Sequence, residues 1–224
     1  NGIVINKSLT IDFAGFAYTF VEQGVGDTQY KSNGFQIKKD NDVTLKNGTL
    51  NVAEEWKEKF YILIQNYSNL TVENMKLDGT NLDMWSTSDG DSYVISNNSG
   101  NVNITGNTTI IANNDSSVTP SKAFAFDACD QTSKGYALPV VTVNTTGAIT
   151  GAVEVSATLK IEALGQGSEI SYISIDGKGQ LFHNGLTTTI KKHITGHPVP
   201  ENNSEYVDGW YTISSPVGTV DHDK

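Results

Sequence analysis

Short segments in which an apolar, a polar and an apolar residue alternate recur along most of the chain. Five triplets have this form: Leu9-Thr10-Ile11, Val43-Thr44-Leu45, Leu70-Thr71-Val72, Val102-Asn103-Ile104 and Val141-Thr142-Val143. In an extended strand, such a triplet places both apolar side chains on one face. The middle residues of successive triplets lie 34, 27, 32 and 39 positions apart. The pattern predicts a degenerate repeat built around a half-buried strand.

Two further short strands accompany the triplets. One precedes the first four triplets: Ile3-Val4-Ile5, Phe35-Gln36-Ile37, Ile62-Leu63-Ile64 and Tyr93-Val94-Ile95. Another follows the later triplets: Leu50-Asn51-Val52, Lys76-Leu77, Thr109-Ile110-Ile111 and Ala148-Ile149. The corner after the triplet carries Asn and Gly, which tolerate left-handed backbone angles. Stacked Asn side chains at one corner can also form hydrogen bonds along the stack.

Three short strands per repeat, joined by tight corners, predict one coil of a parallel β-helix. This is an all-β solenoid in which each repeat buries its apolar face only by stacking on its neighbours. An antiparallel sandwich with Asn-Gly hairpins is the alternative. A sandwich would explain the alternation but not the preserved spacing of strands within each repeat, so we expect the solenoid.

The run Asn69-Leu70-Thr71-Val72-Glu73-Asn74-Met75-Lys76-Leu77 resembles a coil of the right-handed parallel β-helix superfamily, the pectin-lyase-like proteins. The resemblance covers about residues 1 to 160. It implies a right-handed solenoid with three short strands per coil, and because the motif is common it implies no particular activity.

A second resemblance concerns the C-terminal part. Three runs are similar to a linking segment of large secreted gut-bacterial surface proteins, where a repeat or β-helix region gives way to an adhesin-like module: Gly179-Gln180-Leu181-Phe182-His183-Asn184, Thr189-Ile190-Lys191-Lys192-His193-Ile194-Thr195 and Gly209-Trp210-Tyr211-Thr212-Ile213-Ser214-Ser215-Pro216-Val217. We therefore expect a β-helix over residues 1–178. Residues 179–224 would be a capping or linking segment at the start of a further module.

An open solenoid end exposes apolar core and unpaired strand edges. We therefore expect residues 180–217 to fold back over the last coil, with Trp210 or Tyr211 packed against it; a flexible tether is the alternative.

The chain begins at Asn1-Gly2 without a Met and ends at Asp223-Lys224. These ends favour an excised piece of a longer chain, and within that chain we expect the module to be a monomer.

Extra residues collect between the third strand of one repeat and the first strand of the next. These insertions span 53–61, 78–92 and 113–122, and a further extension at a different point of the repeat spans 127–139. Insertions at one repeat position project from one face of a solenoid, often the binding face.

Five residues on these insertions are predicted to bind a ligand, because aromatic rings and carboxylates suit sugars or a protein partner: Trp56, Trp85, Asp89, Asp91 and Tyr93. The alternative for each Trp is that it folds back to cover an open edge of its coil. Residues 53–60 also predict a short helix with Glu–Lys pairs.

Composition excludes several classes of protein. Asn, Ser and Thr make up 64 of 224 residues, while only 18% of residues are charged, which favours an ordered, strand-rich chain. All fifteen cationic residues are Lys and the net charge is −10, so nucleic-acid binding is excluded. The absence of an apolar run of roughly 20 residues predicts no membrane insertion. With Cys129 as the single cysteine, neither an intramolecular disulfide nor a Cys-based zinc site can form.

The sequence shows no recognisable catalytic or metal motif. Asp127 and Asp130 are the best candidates for a hydrolytic carboxylate pair, but positions i and i+3 of a strand face opposite sides. The motifs of the polygalacturonase family are not present, and the lack of Arg excludes the pectate lyase mechanism. Residues 88–92, Ser-Asp-Gly-Asp-Ser, lack the full calcium-loop pattern. We predict no catalytic residue, no metal and no cofactor.

These observations favour a non-catalytic, secreted or bacterial cell-surface module. It would be adhesin-like, displaying loops that bind a glycan or a host surface protein, or spacing a distal domain. A carbohydrate-active β-helix enzyme with divergent catalytic residues, of the polysaccharide lyase or glycoside hydrolase type, is the alternative. A third hypothesis, ice binding by a flat Thr face, conflicts with the uneven repeat length.

Overall fold

The computed structural model describes residues 1–26, 31–83, 91–113 and 122–192. Within these ranges the chain forms seventeen strands: β1 (Ile3–Ile5), β2 (Leu9–Asp12), β3 (Ala17–Phe20), β4 (Asn33–Ile37), β5 (Asp42–Val52), β6 (Ile62–Asn66), β7 (Asn69–Asp78), β8 (Ser92–Asn97), β9 (Asn101–Gly106), β10 (Thr109–Ile111), β11 (Ala123–Ala128), β12 (Val140–Thr145), β13 (Ile149–Val155), β14 (Thr158–Ala163), β15 (Glu169–Ile175), β16 (Gln180–His183) and β17 (Ile190–Lys192). Two short 3₁₀ helices, Glu54–Lys59 and Thr132–Lys134, lie between them.

All pairs between these strands are parallel, and the strands belong to one continuous sheet. An isolated antiparallel bridge joins Val25 to Asn33, the first residue of β4. Strands that pair come from successive repeats, so the chain winds as a solenoid rather than folding back in hairpins. This confirms the all-β, parallel expectation and rules out the antiparallel sandwich for the described residues.

The triplets stack in the register that the sequence predicts. Thr10 pairs with Thr44, Thr44 with Thr71, Thr71 with Asn103, and Asn103 with Thr142. The apolar residues on either side of each threonine or asparagine therefore lie one above another in the core. Those of the four later triplets are at most 2% exposed, and each such aliphatic side chain contributes about 1.5–3 kcal/mol through burial.

The strands that precede the triplets align differently from the sequence pattern. Phe35 pairs with Ile64, rather than with Ile62, so this pairing is displaced by two residues. Ile62 and Tyr93 pair as the pattern suggests. A two-residue slip keeps the same side chains on the same face, so alternation alone does not distinguish the two registers.

The number of separate strands per repeat varies along the stack. In β5 and β7 the second and third predicted strands form one strand, which bends at Asn47 and Asn74 with φ of 58° and 52°. After β12 the repeat shortens, because Val143 pairs with Ile161, which pairs with His183. The strands β16 and β17 continue the parallel stack past residue 178. Residues 193–224, with Trp210 and Tyr211, lie outside the described residues.

The predicted hydrogen bonding between corner asparagines is present. The amide of Asn74 donates to Asn47 Oδ1 at 3.4 Å, and Asn74 Oδ1 accepts from the backbone N–H of Asn107 at 2.9 Å. Asn47 in turn donates to Asp12 Oδ1 at 3.1 Å. These contacts join corners of four successive repeats.

Replacing Asn74 with alanine is expected to lower the free energy of unfolding by about 2 kcal/mol. Alanine in the left-handed region costs about 1–2 kcal/mol, and the lost hydrogen bond to Asn107 costs about 1 kcal/mol. Asn74→Gly is the matched control, because glycine loses the hydrogen bond but keeps the backbone angle without strain. Urea denaturation of the three proteins measures the difference. Equal stability of the alanine variant and the wild type would contradict a stabilising role for the corner asparagines.

Candidate functional site

The corner between the third strand of one repeat and the first strand of the next carries the insertions, as the sequence predicts. In the first insertion, residues 54–59 form a 3₁₀ helix in which Lys57 Nζ lies 2.8 Å from Glu54 Oε1. A 3₁₀ helix has three residues per turn, so side chains at i and i+3 lie on the same side. Glu54 and Lys57 therefore share one side of this helix, and Trp56 and Lys59 share another.

A groove runs along this corner on the side of Glu54 and Lys57. It consists of two adjoining cavities of about 450 and 440 Å³, both lined by Thr80 and Asn113. The lining of the first cavity is mainly polar and that of the second mainly apolar. Together the two linings carry four carboxylates and one ammonium group: Glu54, Glu58, Asp83 and Glu169, with Lys57. The groove passes the ends of strands from β7 to β15, so it crosses several repeats.

Side chains at the start of two insertions form hydrogen bonds beside the groove. The Asn113 amide donates to the carbonyl of Leu82 at 2.6 Å, and the Asn81 amide donates to the carbonyl of Val52 at 2.8 Å. Thr80 donates to Asp78 Oδ1 at 2.7 Å. The two asparagine bonds tie the second and third insertions to the preceding repeat, which gives the groove a defined wall.

A third cavity of about 320 Å³ lies on the other side of the 3₁₀ helix. Its lining residues are Gln23, Lys31, Trp56 and Lys59. Trp56 is partly buried and packs against the main hydrophobic core. The tryptophan therefore covers its repeat, as the alternative interpretation predicts, and also lines this cavity.

Two of the five predicted ligand-binding residues lie together. Tyr93 Oη is 3.0 Å from Glu154 Oε2 and 3.5 Å from Asp91 Oδ2. Lys122 Nζ lies 3.7 Å from Asp91 Oδ1. Burial and the surrounding carboxylates raise the pKa of the Tyr93 hydroxyl, so this group stays protonated and donates a hydrogen bond to Glu154. Trp85 and Asp89 lie outside the described residues.

The structure pairs Asp127 with Glu154 rather than with Asp130. Asp127 and Glu154 are register partners on β11 and β13, which places them on neighbouring strands about 4.8 Å apart. The sequence contains the signal for this pair, because Phe126-Asp127-Ala128 and Val153-Glu154-Val155 are both apolar–acidic–apolar triplets. Sequence reasoning compared residues within one segment and missed the residue stacked above it.

Asp127 and Asp130 have opposite environments. Burial raises the pKa of Asp127 to about 7; Glu154 also raises it, while hydrogen bonds from the Asn97 backbone and the Ser96 hydroxyl act against this rise. Hydrogen bonds from Thr132 and from Lys178, whose Nζ is 2.9 Å from Asp130 Oδ2, lower the pKa of Asp130 to about 2. The two carboxyl groups therefore belong to separate hydrogen-bond networks.

Aromatic rings stack beside the Asp127–Glu154 pair. The rings of Tyr93 and Phe124 are parallel with centroids 5.0 Å apart, and Phe124 meets Tyr172 edge to face at 6.3 Å. Lys191 Nζ lies 4.4 Å from the centre of the Tyr172 ring. Phe124 and Tyr172 are only 5% and 7% exposed. These rings pack against each other and therefore do not offer a surface on which a sugar can stack.

The comparisons with known proteins identify no relative. No family model matches the chain, and neither a curated protein nor a solved structure matches it. Within the described ranges, no three His, Cys, Asp or Glu residues are arranged to hold a metal ion. None of the helices described in the chain is long and apolar enough to cross a membrane.

Proposed function

We propose that the chain is a non-catalytic module of a secreted or bacterial cell-surface protein that binds an uncharged glycan along the corner groove. In this proposal the solenoid is right-handed, with three short strands in its basic coil, and belongs to the pectin-lyase-like β-helix superfamily. The single observation that supports the binding role is the pair of adjoining cavities that share Thr80 and Asn113.

The shape of the groove favours an extended ligand. Neighbouring strands of the stack are about 4.8 Å apart, so the groove spans roughly 15 Å from β7 to β15. A single sugar would occupy only part of this length, whereas an oligosaccharide would contact successive repeats. Hydroxyl, amide and carboxylate groups along the lining can exchange hydrogen bonds with sugar hydroxyls.

The charge of the groove favours an uncharged ligand. Its four carboxylates, in a chain of net charge −10, create a negative potential that opposes anionic glycans. Like-charge contacts of this kind reduce affinity for the wrong partner, and so contribute to specificity.

Binding of uncharged polysaccharides should exceed binding of polygalacturonate, as measured by affinity electrophoresis and calorimetry. Glu58→Ala and Glu169→Ala remove one carboxylate from each cavity, and each is expected to weaken binding of a long neutral chain by about tenfold. Glu22→Ala is the control, because Glu22 is exposed and does not line the groove.

Three outcomes would contradict the proposal. If the chain binds no neutral polysaccharide, or if the Glu22 variant loses as much affinity as the groove variants, the groove is not the binding site. Release of new reducing ends during the assay would instead support the second candidate, a carbohydrate-active enzyme. That candidate is favoured by the Asp127–Glu154 pair, although Asp127 is only 4% exposed and its oxygens accept hydrogen bonds from the protein.

A further inference from the structure

The cavity beside Trp56 differs in charge from the rest of the molecule. It is lined by Trp56, Lys31, Lys59 and Gln23, so one aromatic and two cationic side chains border it. None of the described lining residues is a carboxylate, and none of the described ion pairs uses Lys31 or Lys59. A cationic, partly aromatic cavity thus lies in a chain with 25 acidic and 15 basic residues.

The backbone of two repeats builds this cavity. Val25 and Asn33 exchange two backbone hydrogen bonds of 2.8 and 2.9 Å, which hold the segment after β3 against the start of β4. Gly24 permits this approach, because a Cβ atom there would lie 2.6 Å from the Asn33 carbonyl oxygen and 2.8 Å from that of Lys31. Gln23 and Lys31 are therefore placed side by side.

The second repeat supplies the other half of the cavity. Phe20 at the end of β3 pairs with Val52 at the end of β5, so the segments that follow these strands leave the stack next to each other. The 3₁₀ helix then places Trp56 and Lys59 on one side, one turn apart. Its Glu54–Lys57 ion pair lies on the side that lines the groove. The helix thus separates an acidic groove from a cationic cavity.

We propose that this cavity binds a sugar acid, meaning a pyranose ring that carries a carboxylate. The Trp56 ring contacts the apolar face of the sugar, as aromatic side chains with an exposed face do. Lys31 and Lys59 bind the carboxylate through charge-assisted hydrogen bonds. The Gln23 amide, with both donors and an acceptor, binds ring hydroxyls. This site is separate from the groove and does not rest on the proposed binding of an uncharged glycan.

The test is a titration of the whole chain with glucuronate, N-acetylneuraminate, glucose and inorganic sulfate, followed by NMR or calorimetry. Saturable binding of both sugar acids is expected at millimolar concentration, weakening as the salt concentration rises from 50 to 500 mM, as charge-dependent binding does. Glucose lacks the carboxylate and sulfate lacks the ring. Each is expected to bind about tenfold more weakly or not at all.

The variants separate the cavity from the groove. The double variant Lys31→Gln with Lys59→Gln is expected to weaken sugar-acid binding by about tenfold and to remove its salt dependence. Lys57→Gln is the matched control, because Lys57 lies on the same helix and carries the same charge but faces the groove. Both lysines of the double variant are exposed, so the fold is expected to be retained. Trp56→Ala tests the ring contact, with circular dichroism to check folding.

The proposal is overturned if neither sugar acid shows saturable binding, if sulfate binds as tightly as glucuronate, or if Lys57→Gln weakens binding as much as the double variant. These results are independent of the groove. If the chain binds neutral polysaccharide but no sugar acid, the proposed function stands and the sugar-acid site is wrong. If it binds sugar acids but no neutral polysaccharide, the sugar-acid site stands and the proposed groove function is wrong.

Discussion

Val72→Asp is expected to unfold the stack cooperatively. Val72 has no exposed surface and pairs in register with Leu45 below and Ile104 above. An aspartate there would place a carboxylate without a partner in the apolar interior, and the lost packing would add to the cost. A destabilisation of about 4 kcal/mol or more is a large part of the stability of an ordinary domain. Circular dichroism during heating and in urea measures it.

Thr71→Asp is the matched control for this prediction. Thr71 is the neighbouring residue on the same strand, but its side chain alternates to the outer face and is partly exposed. The same charge there should change the melting temperature only slightly. Wild-type melting of the Val72 variant, or an equal loss in both variants, would mean that the alternation of the triplets has been assigned to the wrong faces.

The second large effect concerns the dependence of stability on pH. Burial raises the pKa of Asp127 from its ordinary value of 3.8 to about 7, so the folded chain keeps a proton that the unfolded chain releases. The free energy of unfolding should therefore fall as pH rises from about 4 to 7, by roughly 4 kcal/mol at about 1.4 kcal/mol per unit. The pKa of Glu154 is also raised by burial, which acts in the same direction.

Asp127→Asn should be more stable than the wild type at pH 7.5 and should show a smaller loss between pH 5 and 7.5. An asparagine can still accept the hydrogen bond from Asn97 and can contact Ser96, but it carries no charge. Asp130→Asn is the control. The pKa of Asp130 is lowered, so its contribution to the free energy of unfolding changes only in acid and should not alter the loss between pH 5 and 7.5. Urea denaturation at several pH values measures the effect. If the free energy of unfolding of the Asp127 variant falls with pH as steeply as that of the wild type, the prediction is wrong.

The sequence predicted the fold class and the register of the triplets because both depend on a pattern with a period of two. An inward strand residue must be apolar wherever another coil stacks on it, so Val43, Leu45, Leu70 and Val72 can be recognised without the structure. The corner asparagines were predictable for a similar reason, since left-handed backbone angles favour Asn and Gly. The position of the insertions followed from spacing alone.

Other features required the tertiary structure because they join residues from different repeats. The pairing of Phe35 with Ile64 is displaced by two residues from the pairing with Ile62 that the pattern suggests. A two-residue displacement keeps every side chain on the same face, so the sequence pattern is the same for either register. Asp127 meets Glu154 only because β11 pairs with β13. The pattern within one segment contains no information on this pairing.

The candidate sites divide in the same way. The sequence identified Trp56, Asp91 and Tyr93 as chemically suitable residues on insertions, but not their surroundings. Trp56 and Lys31 line one cavity, and Gly24 lets the backbone of Lys31 approach the segment that carries Gln23. The Tyr93 hydroxyl instead donates a hydrogen bond to Glu154. Residue type and spacing determined which side chains can bind a ligand. Only the stacking of distant repeats decided which of them face a cavity and which are occupied by the protein itself.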